Sequence, residues 1–541
     1  MSILASSVHE AVLAASGDVA SGSATFVAPH VEYAKLSPMI IVFAAATLGV
    51  LFEAFLPRKA RYHAQVTLTL LGLAAAFAAV IALHATSPQT AAQGAVAVDP
   101  VSLFLQGTIL VISFIGVLVI AERKTDAGQD SFAAQGASVP GSQAERDTTR
   151  AGWLTTEVYP LLMFSIGGML LFPAANDLLT MFVALEVLSL PLYLVCGLAR
   201  HRRLLSQEAA LKYFLLGAFS SAFFLYGAAL LYGYAGSVTF SDTDPNNPGI
   251  AQAVAANAHG SALLYAGVAL LGMGLLFKVG AAPFHMWTPD VYQGAPTPVT
   301  GFMAAATKIA AFGALLRVLD VALVGSVDIW RPVIEAVAII TMVVGGILAL
   351  TQRDIKRMLA YSAILNAGYI IIGLASTSAT GISAVLFYLP VYGVAIIGAF
   401  AVVTLVRDSG GEATDLSRWA GLGRRAPIPA ALLSVFLLAF AGIPFTSVFV
   451  GKFAVFQAAL QAGAPQLVIV AVLASALAAF FYLRVVVVMF FSEPLPEGPT
   501  IANPSIAVKA ALAVAALATV AMGIAPAALL HLANNSSVLA R

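Results

Sequence analysis

Apolar runs of close to 20 residues recur along most of the chain, separated by short segments rich in polar and charged residues. A run of about 20 apolar residues matches an α-helix that crosses a hydrocarbon core of about 30 Å. We identify fourteen such runs, at 38–56, 66–85, 101–121, 154–172, 177–199, 208–234, 261–294, 298–324, 332–350, 358–376, 381–406, 428–462, 466–492 and 506–530. The pattern predicts an all-α polytopic membrane protein with 14 transmembrane helices.

Two of these runs, 261–294 and 428–462, are too long for one straight crossing and carry proline and glycine in their interiors. Pro283 and Pro444 cannot donate a backbone hydrogen bond, and each ring clashes with the preceding turn. At membrane depth, the freed backbone groups must be satisfied by protein or by water. Both runs therefore predict broken helices that line hydrated pockets.

The broken helices are the seventh and the twelfth, and a repeat of five helices inverts its orientation each time. We therefore predict two inverted repeats, spans 4–8 (residues 154–324) and spans 9–13 (residues 332–492). Interrupted helices in corresponding positions of two halves point to a transport site. The remaining segments are an N-terminal extension without signal-peptide features (1–37), three N-terminal helices (38–121), a cytoplasmic loop (122–153) and a C-terminal helix with its tail (506–541).

Composition and charge agree with a membrane protein and set its orientation. Only 10% of the residues are charged, against about 25% in a soluble domain. Eighteen of the 27 lysines and arginines lie in loops on one side, whereas the opposite loops and ends hold only Lys35, Arg331 and Arg541. Cytoplasmic loops carry the excess of basic residues. Both termini are therefore predicted to face away from the cytoplasm.

Charged residues within the spans are the candidate functional groups, because each costs about 2.5–3.5 kcal/mol at the bilayer centre. Glu186 lies mid-span without a local partner, Lys308 lies mid-helix, and Lys278 and Lys452 adjoin the helix breaks. A lysine in a hydrated pocket gains water and carbonyl partners and is able to exchange protons. These four residues are predicted to be functional.

Other charges in the spans have simpler interpretations. Arg317 and Glu53 lie near span ends, where long side chains can reach the interface. Lys212 follows Glu208 at the i, i+4 spacing of a local ion pair, so a structural and a functional role both stay open for it.

Several classes of function are excluded by what the sequence lacks. The net charge of +1 gives no basic excess for nucleic acid. The single cysteine, Cys196, lies in an apolar run and excludes disulfide scaffolds, cysteine-ligated clusters and zinc knuckles. The chain has no GxGxxG fingerprint that opens a helix after a strand, no Walker motif and no CxxC. We therefore expect no nicotinamide, flavin, nucleotide or iron–sulfur site in this chain.

Six stretches carry a resemblance to a known family: ALEVLSLPLYLV, LKYFLLGAFSSAFFLYG, FKVGAAPFHMWTPDVYQGAPTPVTGFMAAATK, RMLAYSAILNAGY, AGIPFTSVFVGKF and FYLRVVVVMFF. They resemble the antiporter-like membrane subunits of proton-pumping NADH:quinone oxidoreductase, respiratory complex I. The ending GKF in the twelfth span resembles the subunit N branch of that family more than its larger paralogues.

The resemblance implies a hydrated polar axis through the middle of the membrane and a proton-translocating role. The matching positions are Glu186 in the fifth span, Lys212 in the sixth as its partner, Lys278 in the seventh, Lys308 in the eighth and Lys452 in the twelfth. For His285, an extension of the path to the cytoplasm and a structural role stay open. Asp290 and Trp287 are interpreted as the cap and anchor of the re-entering loop.

The resemblance also implies partners. NADH-to-quinone electron transfer, with FMN, iron–sulfur clusters and quinone, would belong to partner subunits, and this chain would hold no cofactor or metal. Its neighbours would be other antiporter-like and small membrane subunits and membrane lipids, with no nucleic acid. The location implied is the bacterial inner (plasma) membrane.

Two other functions stay open at this point. One is a cation/proton antiporter subunit of a multisubunit antiporter, against which the GKF and FYLRV stretches argue. The other is a non-transporting scaffold of the membrane arm. Charged residues beside helix breaks argue against a scaffold, which has no use for them.

Overall fold

The computed structural model describes residues 31–124, 128–241, 248–256, 261–408 and 411–540. The interpretation of the N-terminal extension falls largely on residues 1–30, which lie outside the described residues. Glu32–Arg541 forms one compact unit.

Long apolar helices dominate this unit, and in the described part of the chain twelve of them are long and apolar enough to cross a membrane. The helices that correspond to the predicted spans are α1 (Ser37–Phe55), α2 (Arg58–Leu83), α3 (Pro100–Ile120), α4 (Val158–Leu171), α5 (Leu178–Cys196), α6 (Arg203–Ala235), α7a (Ala262–Val279), α7b (Trp287–Gly294), α8 (Thr297–Ala322), α9 (Val327–Thr351), α10 (Ile355–Ala375), α11 (Ala379–Leu405), α12a (Pro427–Ala441), α12b (Ser447–Gln461), α13 (Pro465–Phe491) and α14 (Ile506–Ile524). The all-α membrane fold is confirmed. The number of crossings and the two inverted repeats stay predictions.

Short elements connect the long helices. Helical segments outside the membrane helices span Gln143–Arg150, Ile250–Ala256, Leu422–Arg425 and Ala527–Asn535, with 3₁₀ turns at Phe172–Ala174, Val324–Ser326 and Leu416–Trp419. Strands β1 (Gln89–Ala91) and β2 (Val96–Val98) form an antiparallel hairpin. Strand β3 (Val406–Asp408) pairs antiparallel with β4 (Gly411–Glu412) and with β5 (Thr500–Ile501).

Polar caps fix where several membrane helices begin. A side-chain oxygen just before the helix accepts a backbone N–H of the first turn, which has no partner within the helix. The capping residues are Asp99 for α3, Asp177 for α5, Ser261 for α7a, Asp354 for α10, Ser378 for α11 and Ser505 for α14. These caps lie at or just before the starts of the apolar runs, so the sequence itself sets the helix starts.

The centre of the bundle is formed by α8, α10 and α11, whose apolar windows are completely buried within the protein. The outer helices instead leave large apolar side chains exposed, among them Leu71, Phe219 and Phe480. Such surfaces suit contact with lipid, because an apolar surface of this extent is rare on a soluble monomer. Cys196 is fully buried, in agreement with its position in an apolar run.

The expectation that Arg317 reaches the membrane interface is wrong. Its side chain is fully buried and forms an ion pair with Asp99, which is equally buried, at 2.7 Å. The guanidinium also donates to Ser102 Oγ and to the carbonyl of Pro173. The carboxylate that caps α3 therefore neutralises a charge on α8, and burial beside that partner replaces exposure to water.

Candidate functional site

The first predicted helix break is present, and Gly280 is the residue that ends α7a. Gly280 has φ +77°, a left-handed conformation that favours glycine, and its N–H donates to the carbonyls of Leu276 and Phe277. The chain then passes through residues 280–286, including Pro283, before α7b begins at Trp287. The carbonyl of Val279 is left without a helical donor, since Pro283 has no N–H to give it.

Lys308 supplies the missing donor. Its Nζ atom donates to the carbonyl of Val279 at 3.2 Å and to the carbonyl of Ala363 on α10 at 2.7 Å. Lys308 directly follows a π-helical segment, Met303–Thr307. Such segments are rare and frequently mark functional sites. A mid-helix lysine on α8 thus reaches both the broken helix and the second predicted repeat.

Lys278, the residue before Val279, contacts a different set of polar groups. Its side chain is buried, and Nζ donates to Ser189 Oγ on α5 at 2.6 Å. The rings of Tyr193 and Tyr213 lie 5.8 and 5.4 Å from Nζ, within reach of a cation–π attraction. Glu186 precedes Ser189 by three residues, which places the two side chains on one face of α5.

The predicted contact between Glu186 and Lys212 is absent from the ion pairs of the described residues. Lys212 Nζ lies 2.7 Å from Glu208 and 2.7 Å from Asp290, and its side chain is 43% exposed. Glu186 Oε1 is buried and has no hydrogen-bond partner within the described part of the chain. Lys212 therefore pairs with Glu208 and Asp290 and not with Glu186.

The second predicted break repeats the geometry of the first. Helix α12a ends at Ala441, Gly442 follows at φ +83°, and α12b begins three residues after Pro444. Lys452 Nζ donates to the carbonyl of Phe440 at 2.8 Å and to Ser475 Oγ at 2.9 Å. In both breaks a lysine ammonium therefore caps the carbonyl end of the first half-helix, where the helix dipole favours a cation.

A polar stripe on α10 lies between Lys308 and Lys452. Ser362, Asn366 and Tyr369 follow the i, i+4, i+7 spacing and share one helix face. Seven residues of α-helix rise by about 10 Å. At one end, Lys308 binds the carbonyl of Ala363. At the other, Tyr369 OH accepts a hydrogen bond from Ser475 Oγ at 3.1 Å, and Ser475 is the acceptor for Lys452.

Further hydroxyl and amide groups complete the stripe. Tyr388 OH donates to Asn366 Oδ1 at 2.9 Å, Asn366 Nδ2 donates to the carbonyl of Ser362 at 2.8 Å, and Ser362 Oγ hydrogen-bonds Tyr482 OH. Sequence reasoning singled out charged residues and missed these neutral ones. The polar spacing within RMLAYSAILNAGY was the available signal.

Trp287 anchors the segment that re-enters after the first break. Its ring stacks on Tyr213 at 4.7 Å, and its Nε1–H donates to the carbonyl of Phe277 at 2.9 Å across the break. His285 is buried within this segment, and its Nδ1 atom has no hydrogen-bond partner among the described residues. Asp290 makes no side-chain cap of α7b, and its carboxylate instead binds both Lys212 and Arg357.

Comparison with known proteins places this geometry in a family. A profile described as "NADH:quinone oxidoreductase/Mrp antiporter, TM" matches residues 175–478. The chain is 58% identical to NADH-quinone oxidoreductase subunit N 3 of Streptomyces griseus, over 99% of this chain and 100% of that protein. It is 59% identical to subunit N of Rhodococcus opacus, over 97% of this chain and 99% of that protein. The chain belongs to the subunit N family of NADH-quinone oxidoreductases.

Solved structures agree with this subunit N assignment. A chain of respiratory complex I from Thermus thermophilus is 34% identical, with a TM-score of 0.73 over 92% of this chain and 99% of that chain. A chain of the Mrp complex from Dietzia has a TM-score of 0.76 over 93% of this chain and 97% of that chain, at 20% identity. That second likeness shows a shared fold alone. Sequence identity to the subunit N proteins therefore distinguishes this chain from the antiporter alternative.

Proposed function

We propose that this chain is a proton-translocating subunit of a membrane-bound NADH:quinone oxidoreductase, and that Glu186, Lys278, Lys308 and Lys452 carry protons within it. One observation carries the proposal. The three lysines are buried, yet no ion pair of the described residues joins any of them to a carboxylate. Burying an unpaired ammonium is costly, and proteins keep such a cost where it serves a function.

Each lysine has hydrogen-bond acceptors in place for its protonated form. Carbonyls at the helix breaks receive Lys308 and Lys452, and Ser189 receives Lys278. These dipoles stabilise the charged form of the lysine, whereas burial destabilises that form. The small balance between the two allows a nearby charge to decide whether the lysine holds or releases its proton.

The α10 stripe provides the link between Lys308 and Lys452. Serine and tyrosine hydroxyls both donate and accept hydrogen bonds, so they can receive a proton on one side and pass one on at the other. Ser475 and Tyr369 form the last two members before Lys452. Asn366 cannot relay a proton in this way, and it serves to orient Tyr388 and the backbone of α10.

His285 extends this route towards the basic-loop side, which is the side of the membrane where most lysine and arginine residues of the loops are predicted to lie. Its buried Nδ1 atom, which has no hydrogen-bond partner among the residues that the structure describes, lies in the segment between α7a and α7b. A neutral imidazole holds a proton on one nitrogen and accepts one on the other, which suits a shuttle. Lys212 is not part of the buried chain in this proposal, because its side chain is half exposed and tied to Glu208 and Asp290.

Redox chemistry lies outside this chain in the proposal. Electron transfer from NADH to quinone through FMN and iron–sulfur clusters occurs in partner subunits, and its energy drives proton movement here. The chain resides in the bacterial inner membrane, with both termini on the non-cytoplasmic side, as the distribution of lysine and arginine favours.

The test is proton translocation per NADH oxidised by the assembled complex in sealed vesicles, for Tyr369→Phe. This change removes the hydroxyl that accepts from Ser475 and keeps the ring beside Lys452. We expect fewer protons per NADH, with normal assembly on native gels. Tyr226→Phe is the matched control, because Tyr226 is exposed on the outer face of α6.

Unchanged proton yield in an assembled Tyr369→Phe complex would remove the stripe from the path. The antiporter alternative is tested in the same vesicles without NADH. Sodium-driven proton movement that needs no electron transfer would support that alternative and contradict the proposal.

A further inference from the structure

A groove of about 790 Å³ opens at the basic-loop end of the molecule, away from the buried lysines. It lies between the start of α2, the end of α3 and the segment 134–157. Four cationic side chains line it: Arg58, Lys59, Arg61 and Arg123. Glu157 is the single carboxylate among the lining residues of the described chain. The volume of the groove falls within the range of about 300–1,000 Å³ that is usual for small-molecule sites.

The cations at the start of α2 are poorly compensated. The first turn holds Arg58, Lys59 and Arg61, no acidic residue and no side-chain cap, so three positive charges face the positive end of the helix dipole. Arg61 pairs with Glu53 at 3.4 Å. For Arg58 and Lys59, no ion pair occurs within the described residues. An anion placed here would relieve the charge repulsion and could accept from N–H groups at the start of the helix, which have no acceptor in a preceding turn.

Glu122, the carboxylate next to Arg123 in the chain, is already engaged in hydrogen bonds. Glu122 accepts hydrogen bonds from the backbone N–H groups of Arg123, Lys124 and Ser505. Arg123 itself donates to the carbonyl of Gly128 at 3.1 Å. Its positive charge therefore stays available to an anion in the groove.

Two aromatic rings hold the arginines in place. The guanidinium of Arg58 lies 3.8 Å from the centre of the Trp153 ring, and that of Arg123 lies 4.6 Å from the centre of the Tyr62 ring. Tyr62 is fixed in turn, since its OH donates to the carbonyl of Ala121. A guanidinium stacked by its face keeps its N–H edge free, and that edge matches the oxygens of a phosphate.

We propose that this groove binds the phosphate headgroup of an anionic phospholipid from the leaflet on the basic-loop side. The arginine and lysine side chains suit any phosphate group, but the position of the groove favours the phosphate of a lipid. Phe55, three residues before Arg58, is 81% exposed, so an acyl chain could lie beside it. Basic pockets at the cytoplasmic ends of membrane helices recognise anionic headgroups, and tryptophan and tyrosine concentrate at the interface.

The experiment uses the intact complex in lipid vesicles and a photoactivatable phosphatidylglycerol whose reactive group lies next to the headgroup. Labelled peptides are identified by mass spectrometry. We expect label on the peptides containing residues 58–63 or 134–157. Excess phosphatidylglycerol should remove the label, whereas phosphatidylcholine and inorganic phosphate should not.

A double variant, Lys59→Gln with Arg123→Gln, should lower the labelling at least tenfold, because charged contacts dominate binding of this kind. Arg146→Gln is the matched control: Arg146 is an exposed arginine of the same loop that donates to the carbonyl of Gly141 and does not line the groove. It should label as the wild type does.

Three outcomes would overturn the proposal. Competition by inorganic phosphate would identify a free-phosphate site, and competition by phosphatidylcholine would identify unspecific lipid contact. Full labelling of an assembled double variant would show that the cations do not bind the headgroup. Should the double variant fail to assemble, the competition series on the wild type decides by itself. None of these outcomes bears on proton transfer by the buried lysines.

Discussion

Asp290 Oδ2 lies 2.7 Å from Lys212 Nζ, so an ion pair joins the half-helix α7b to α6. The other oxygen of Asp290 lies 2.6 Å from Arg357 on α10. One carboxylate therefore ties the second half of the broken helix to a helix of each predicted repeat. Glu208 also binds Lys212, but both residues lie on α6.

We expect Asp290→Asn to impair proton pumping more than Glu208→Gln does. Ion pairs this exposed contribute only about 0–1 kcal/mol to stability, so neither change should prevent assembly. Asp290 differs from Glu208 because it links separate helices beside the break. The measurement is protons translocated per NADH in sealed vesicles, and equal effects of the two variants would show that the link between helices is unimportant.

Lys278→Arg tests whether Lys278 has to release its proton. Arginine keeps the positive charge, but it cannot be deprotonated in proteins. If Lys278 cycles between two protonation states, the arginine variant should pump nearly as poorly as Lys278→Met. Lys278→Met should assemble well, since it also removes the cost of a buried charge.

Proton yield per NADH in vesicles, with assembly checked on native gels, decides this point. Wild-type pumping by Lys278→Arg would make Lys278 a fixed structural charge. The proton-carrying role would then rest with Lys308 and Lys452.

Glu186→Gln should lower pumping and coupled turnover without preventing assembly. Its Oε1 atom is buried without a hydrogen-bond partner in the described chain, and it shares a face of α5 with Ser189, the acceptor for Lys278. Glutamine keeps the shape and removes the ionisable carboxyl from the helix face that carries Ser189. Leu179→Ala, an exposed position on the same helix, is the control. Normal pumping by an assembled Glu186→Gln complex would contradict the role proposed for this carboxylate.

Asp99→Asn should destabilise the protein by about 3–5 kcal/mol, because it leaves the buried guanidinium of Arg317 without its counter-charge. The double variant Asp99→Asn with Arg317→Met should be markedly more stable than the single variant, since neither charge of this pair remains. Glu53→Gln serves as the control, because its pair with Arg61 is partly exposed. Thermal unfolding of the purified complex measures all three, and a mild effect of Asp99→Asn alone would refute the account.

The Asp99–Arg317 pair should also be insensitive to pH over the neutral and mildly acidic range. Burial by itself would raise the pKa of Asp99, but the Arg317 guanidinium and the hydrogen bonds from Ser102 hold it below its usual value. A carboxyl whose pKa is lower in the folded protein stabilises the fold at pH values above its pKa in the unfolded chain, which is about 3.9. The contribution should therefore be lost only as the pH falls through the lowered pKa. The difference in unfolding temperature between wild type and Asp99→Asn should stay constant from neutral pH down to about 5.

A reporter that is active only in the cytoplasm should stay silent when it is fused after Arg541. The reason is the bias of lysine and arginine, with eighteen of 27 on one side and three on the other. The same reporter inserted in the loop between α5 and α6, beside Arg200, should be active and serves as the positive control. Activity of the C-terminal fusion would contradict the predicted even number of crossings.

The sequence by itself determined the class of the protein, the places where its helices break and the lysines beside those breaks. These features are local: a 20-residue apolar run, a proline without an N–H and a charge inside an apolar segment each act within one stretch of chain. Lys278, Lys308 and Lys452 were identified in this way, and each is buried in the structure.

Only the tertiary structure decided which groups meet. It gave Lys308 the carbonyl of Val279, gave Lys212 the carboxylate of Asp290 in place of Glu186, and buried Arg317 against Asp99. It also placed Ser362 against Tyr482, and Tyr369 against the hydroxyl of Ser475, although all four are neutral residues on apolar helices. Contacts between residues far apart in the chain depend on how the helices are rotated and packed. That packing minimises the cost of every buried polar group at once, so no single stretch of sequence specifies it.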